Sequence, residues 1–303
     1  LIKLLSAETQ YVSIFGKANA EDVRSVLGTT LEENLRMIYE SVQLLVSQGR
    51  RVIFDAEHFF DGYIEDSEYA LAAITAAHEG GAQTICLCDT NGGRLPSEIY
   101  DIASRLKETG FNLGIHAQDD IGCGVANTLS AVQAGFNHVQ GTLLGMGERC
   151  GNANLSAIIP TLMLKLGMDC IPQQKLRLLT KQARTVAEIA NVLLPANLPY
   201  IGKMAFAHKA GMHIDALSKR QGAFEHIQPE LVGNKRRILL SELSGRSAVI
   251  KKLSVIAPEL TKDAEITGAL TDRLKELEAE GYQFESADAS FELLVQRELG
   301  NLS

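Results

Sequence analysis

No stretch of this sequence approaches the roughly 18 unbroken apolar residues that a membrane-spanning helix requires. An excess of basic charge is missing too: 29 Lys and Arg stand against 37 Asp and Glu, a net charge of −8. That balance argues against broad contact with nucleic acid or an anionic membrane surface. Cysteine is scarce and unpatterned. Cys86, Cys88, Cys123, Cys150 and Cys170 make an odd set without a C-x-x-C pair, which reads as reduced thiols in a cytoplasmic protein. Tryptophan, low-complexity tracts and long charge runs are all absent. What remains is an ordinary soluble composition, long enough for two domains or for one large α/β domain with an appendage. The chain opens at Leu1 with neither an initiator Met nor a signal peptide, and so reads as a processed, truncated or partly recorded polypeptide.

Apolar runs recur at 11–17, 51–57, 84–90, 112–117 and 138–143, with helical patterns between them. Their spacing is that of βα units rather than hairpins. In the segment after Thr30, Leu31, Leu35, Ile38, Val42 and Leu45 share one helical stripe. Thr30 and Glu33 suit a capping box and Gly49 a C-terminal stop. Strands that read as apolar on both faces and alternate with helices imply a parallel sheet covered by helices. Two architectures fit that pattern, an open doubly wound sheet and a (β/α)8 barrel. Here every run ends in polar groups: Lys17, Asp55 and Glu57, Asp89 and Thr90, His116 and Gln118, then Glu148 and Asn152 in a long loop. A barrel brings all its strand C-termini to one mouth, whereas an open sheet gathers function at its switch point. The barrel is therefore expected, with residues 1–195 supplying its last five strands and three βα units placed before Leu1. Residues 196–303 are expected to form small α-rich subdomains. They include a helical stripe of Ile266, Leu270, Leu274 and Leu277 that stops at Gly281, and a second helical pattern near 288–299.

His116 and Gln118 lie two apart in an extended segment, so both point to one side and can reach one ion, with Asn152 as a third donor. A lone His at a strand end can equally be a hydrogen-bonded structural residue. The stretch "GTLLGMGERCGNANL" sets Gly145, Gly147 and Gly151 around the charged pair Glu148 and Arg149. Glycines there let backbone approach a ligand; the plainer reading is a flexible loop with a surface ion pair. Asp55 and Glu57 share a face, and paired carboxylates can hold a hydroxyl or act as a base. His208 and His213 are five apart, too far round a helix for a shared metal; a general acid–base role and a plain surface position both remain open.

Taken together, "VIFDAEHFFDGY", "CLCDTNGG", "GIHAQDD", "VQGT…GERCGNANL", "FAHKAGMH" and "ELSGRS" resemble the citramalate synthase branch of the isopropylmalate/homocitrate synthase family, over essentially the whole chain. The resemblance implies a (β/α)8 barrel with helical subdomains and a soluble homodimer in the cytoplasm. It also implies condensation of acetyl-CoA with a 2-oxo acid, pyruvate for citramalate synthases, which feeds isoleucine synthesis. By the same resemblance His116, Gln118 and Asn152 are metal ligands, and Thr90, Glu57 and Asp55 face the oxo acid. Gly145, Gly147 and Arg149 border acetyl-CoA; Glu148 on the same loop and His213 are catalytic, His213 assisting deprotonation. Gln118 stands where the family has a second His, and Asp119 where it has Asn. An oxygen-rich site shifts preference towards Mg²⁺ or Mn²⁺ and away from Zn²⁺. Phe224 stands where a Tyr is common. The family's Arg-Asp pair on the first barrel strand would precede Leu1. Two other readings stand beside this one: a member that has lost catalysis and serves as a binding or regulatory subunit, and a lyase of the same superfamily.

Overall fold

Each apolar run becomes a strand. In the computed structural model these are β1 (Tyr11–Lys17), β2 (Arg51–Glu57), β3 (Thr84–Asp89), β4 (Leu113–Ala117) and β5 (His138–Gln140). The residues described are all of 1–303 except 209–215, 217, 218, 221, 240–245, 263, 283, 285, 286 and 303; of 238, 246–248, 251, 262 and 264 only the backbone is described. All five strands run parallel in the order β1-β2-β3-β4-β5. A doubly wound sheet reverses its strand order at a switch point. Consecutive order without reversal is instead the topology of a partial (β/α) barrel.

The intervening helices form where the periodicity expects them. Helix α1 (Leu31–Ser47) starts at Thr30, whose hydroxyl accepts the Glu33 N–H at 3.2 Å, and the chain turns out through Gly49 at φ 77°. Then come α2 (Phe59–Glu65), α3 (Ser67–Glu79), α4 (Pro96–Leu106), α5 (Gly124–Ala134) and α6 (Leu155–Lys165). Asp119 Oδ1 accepts the Gly124 N–H at 2.7 Å, so this residue fixes the start of α5.

The core lies between these helices and one face of the sheet. Val52, Phe54, Ile85, Leu87, Leu113 and Ile115 pack there against Ile38, Val42, Leu45, Ile74, Ile99 and Ile158. Each such side chain contributes about 1.5–3 kcal/mol by leaving water. The expectation of strands apolar on both faces needs correction. β1 and β2 alternate in burial, and the opposite face carries Ser13, Asp55, Cys86, Cys88, His116 and Gln140. β3 is buried along its whole length. That polar face is what the strand ends present to a ligand.

Backbone contacts divide the chain into two compact units, Leu1–Cys170 and Ile171–Ser303. The second contains α7 (Leu179–Ile189), α8 (Arg246–Ile256), α9 (Ala264–Ala279), α10 (Asp288–Glu298) and a two-stranded parallel pair at Ala207–His208 and Arg237–Ile238. Leu270 and Leu274 of α9 are buried against Val249, Leu253, Phe291 and Val295, while Ile266 and Leu277 of the same stripe flank them. Among the described residues no helix is long and apolar enough to cross a membrane.

Candidate active site at the strand C-termini

The parallel register sets side chains from different strands in rows. Lys17 stands opposite Glu57, Cys88 opposite His116, and His116 opposite Gln140. Above these rows a cavity of about 260 Å³ opens, lined by Asp55, Glu57, Thr90, His116, Gln118, Glu148 and Arg149, with Phe15 and Cys88 at its walls. Residues as far apart in sequence as Phe15 and Arg149 are thus gathered by the parallel strands and the loop after β5.

Gln118 and Asn152 meet as an isolated antiparallel bridge, which brings the GERCGNAN loop against the end of β4. Gln118 Oε1 and Asn152 Oδ1 are both buried, and neither has a hydrogen-bond partner. Leaving a buried carbonyl oxygen unpaired costs about 1–3 kcal/mol, so two together call for an answering positive group. His116 is beside them, its Nε2 3.5 Å from the Gln118 amide nitrogen. Among the described residues no trio of His, Cys, Asp and Glu is arranged for a metal. One imidazole nitrogen and two amide oxygens are nevertheless donors that could hold a divalent cation with a preference for oxygen.

His116 is itself supported from behind. Its Nδ1 lies 2.8 Å from Gln140 Oε1, and Gln140 Nε2 donates to Asp55 Oδ1 at 2.6 Å. Ser13 Oγ donates to the other Asp55 oxygen at 2.7 Å. Both Asp55 oxygens are therefore engaged within the protein, although the residue lines the cavity. Glu57 pairs with Lys17 at 2.9 Å. Thr90 Oγ1 accepts the His58 N–H at 2.8 Å, which leaves its own proton free to donate. His58 reaches that position through left-handed backbone, φ 57°.

The loop is pinned rather than loose. Arg149 does not pair with its neighbour Glu148; its guanidinium holds Asp120 at 2.7 and 2.9 Å and donates to the Thr90 carbonyl at 2.7 Å. That contact holds the Asp120 carboxyl below the usual carboxylate range. Gly145 and Gly151 adopt φ 70° and 96°, and a side chain on Gly147 would overlap the Asn152 amide. Burial pushes the Cys86 and Cys88 thiols well up, so both stay protonated. Burial also raises the Asp89 carboxyl, whose Oδ2 receives the Asn127 amide at 3.2 Å and the Arg94 N–H at 3.4 Å.

His213 and most of "ELSGRS" lie outside the described residues. Among the described residues, Glu225 is held by Arg236 and lies 3.2 Å from His208, while Phe224 is 49% exposed. Sequence reasoning missed Ser13, Asp120 and Gln140 as parts of the site, and it placed Lys17 at a strand end without its Glu57 partner. Ser13 and Gln140 break apolar runs at the parity of Asp55 and His116, a signal available in the sequence. Their pairing needs the strand register, which the sequence does not print.

Residues 3–186 match the HMGL-like family model, and residues 200–282 the homocitrate synthase post-HMGL domain-like model. The chain is 54% identical to the (R)-citramalate synthase of Aquifex aeolicus, over 98% of this chain and 57% of that protein. It is 47% identical to the (R)-citramalate synthase of Synechocystis, over 98% of this chain and 56% of that protein. It therefore spans a little over half the length of these relatives. A crystal structure of the HMG-CoA lyase of Bacillus subtilis aligns with TM-score 0.54 and 21% identity, over 63% of this chain and 67% of that one, which shows the shared fold. The chain belongs to the HMGL-like family, on the branch of the citramalate, isopropylmalate and homocitrate synthases.

Proposed function

We propose that the complete protein condenses acetyl-CoA with a 2-oxo acid, and that the acid is pyruvate. A carbon–carbon bond forms between the acetyl methyl carbon and the keto carbon. Water then cleaves the thioester, so that acetyl-CoA, pyruvate and water give citramalate and free CoA. The observation that carries this reading is the pair of buried, unpaired oxygens on Gln118 and Asn152 beside His116, at the strand ends of a synthase-family barrel. A divalent cation held by those three residues, Mg²⁺ or Mn²⁺ before Zn²⁺, would act as a Lewis acid towards the oxo-acid carbonyl.

The remaining roles belong to the chain's own groups. Thr90 offers a hydroxyl proton to the oxo-acid carboxylate, because its oxygen already accepts from His58. Glu57, ion-paired with Lys17, also lines the cavity and is placed in contact with the oxo acid. Glu148 stands on the glycine-rich loop, where Gly145, Gly147 and Arg149 set the approach of acetyl-CoA. Deprotonation of the acetyl methyl group is assigned to His213, supplied across a homodimer. The product suits a cytoplasmic route to isoleucine, with no part for nucleic acid or membrane. The test is an assay of free CoA release by the complete protein with acetyl-CoA, pyruvate and Mn²⁺. Release that depends on pyruvate, stops with chelator and returns with Mn²⁺ is expected; none above background with any 2-oxo acid would overturn the reading.

A further inference from the structure

We propose that Gln140 is a positioning residue that fixes both the tautomer and the ring plane of His116, with Asp55 as the anchor that gives Gln140 its direction. The chain of contacts runs Ser13 Oγ to Asp55 Oδ2 at 2.7 Å, Gln140 Nε2 to Asp55 Oδ1 at 2.6 Å, and His116 Nδ1 to Gln140 Oε1 at 2.8 Å. An ionised carboxylate can only accept hydrogen bonds. With Ser13 donating to one oxygen of Asp55, the group facing the other must also donate, and only the amide nitrogen of Gln140 can do so. Turning the amide over would set two acceptor oxygens against each other at the closest contact in the chain. The Gln140 oxygen is thereby committed to His116 and can only accept, so the proton of the neutral imidazole sits on Nδ1. Nε2 keeps its lone pair and looks towards Gln118.

Polarity set by a carboxylate anchor therefore passes through a neutral amide to the imidazole, across strands 85 and 24 residues apart in sequence. A hydrogen-bonded partner on the distal nitrogen of a metal-binding His typically supports affinity by about 10–100-fold. Here the partner is an amide rather than a carboxylate, so the ring is oriented without added negative charge beside it. Asp55 then serves the site through Gln140 as well as from its place in the cavity lining.

The consequence for metal binding rests on the metal reading above; the tautomer does not. In metal-free complete protein, the ¹⁵N imidazole shifts of neutral His116 are expected to show a protonated Nδ1 and an unprotonated Nε2. The opposite tautomer, or a mixture of the two, would overturn the proposal. By calorimetry, Gln140→Leu is expected to lower Mn²⁺ affinity by about 10–100-fold while circular dichroism and melting stay near the parent's. The double replacement Gln140→Glu with Asp55→Asn rebuilds the chain with the charge moved, since the introduced amide donates and the introduced carboxylate accepts from Nδ1–H. It is expected to recover most of the loss; equal Mn²⁺ affinity in parent and Gln140→Leu would sink the positioning role. If Gln140→Leu does not fold, the parent spectrum and the double replacement decide. If the parent binds no Mn²⁺, the metal reading fails while the spectrum still decides for or against Gln140.

Discussion

Arg149 grips both carboxylate oxygens of Asp120, at 2.7 and 2.9 Å, from a left-handed backbone conformation at φ 53°. The contact ties the GERCGNAN loop to the segment after β4, and its second branch reaches the Thr90 carbonyl at 2.7 Å. One side chain thus fixes the spacing between the loop that carries Asn152 and the strand ends that carry Thr90 and His116. Arg149→Met is expected to lower kcat/KM for CoA release by about 10–100-fold through misplacement of those groups. Arg149→Lys recovers little, because an ammonium cannot span two carboxylate oxygens and a carbonyl. Initial rates on the purified variants check both.

The same pair predicts a pH dependence. Arg149 depresses the Asp120 pKa in the folded chain, so the native state holds that proton less readily than the unfolded one. The stabilisation is present above the ordinary Asp value and is lost as pH falls through the depressed one. Parent and Arg149→Met are therefore expected to differ in melting temperature at pH 7 and to converge in strong acid. Asp89 carries the opposite sign. Burial raises its pKa, and its Oδ1 is buried without a partner. Stability from this group is full at low pH and declines as pH rises from the ordinary Asp value through the raised one. Asp89→Asn keeps an oxygen for Asn127 and Arg94 and removes the buried charge. Its melting temperature is expected to gain on the parent's as pH rises through that window.

How much of this was legible in the sequence follows from what each feature depends on. The five strands and α1 could be read because each rests on a continuous local pattern; Thr30 and Gly49 mark the ends of α1, although the Glu33 carboxylate bonds Arg36 instead of closing the capping box. Barrel topology could be argued from polar residues at every strand end, and the consecutive strand order bears it out. The support beneath His116 could not. It requires Gln140 to sit beside His116 in the β4–β5 ladder and to reach Asp55 on β2, two facts of register and twist. The sequence sets Arg149 beside Glu148, whereas the fold offers it Asp120 at 29 residues' remove. Local patterns write elements; long-range register writes partners.

Thr90 tests the proposed contact with the oxo-acid carboxylate. Its hydroxyl accepts from His58 and has one proton left to give. Thr90→Val keeps the shape and removes the donor, and a lost hydrogen bond to a charged group is worth about 1.5–3 kcal/mol. The KM for pyruvate is expected to rise roughly 10–100-fold, with kcat changed less, and Thr90→Ser is expected to stay near the parent. A fall in kcat at unchanged KM would assign the hydroxyl to the chemical step instead.

Gly147→Ala probes Asn152 without touching it covalently. A methyl at 147 would overlap the Asn152 amide, while the backbone at 147 is not left-handed and accepts a side chain without strain. The displaced amide is expected to weaken Mn²⁺ binding about tenfold with little change in melting temperature, since the position is exposed. Gly151→Ala is the severe counterpart. It combines φ 96° with an overlap on the Gly145 carbonyl, so both fold and binding are expected to suffer.

On the proposed donor set, Gln118 is the residue that would decide the character of the cation. Its amide oxygen is neutral and hard, and an imidazole nitrogen in its place would add a borderline donor beside His116. Zn²⁺ favours nitrogen and sulfur at low coordination number, whereas Mg²⁺ and Mn²⁺ favour oxygen. Gln118→His is therefore expected to raise Zn²⁺ affinity by at least about tenfold and to change Mn²⁺ affinity less, read by competition against a zinc indicator and by Mn²⁺ calorimetry. The direction of the change carries the argument, because any gain of a donor could tighten every metal. If Mn²⁺ gains as much as Zn²⁺, Gln118 contributes little to the choice between them. If neither changes, its buried oxygen does not face the cation, and the donor set must be redrawn around His116 and Asn152.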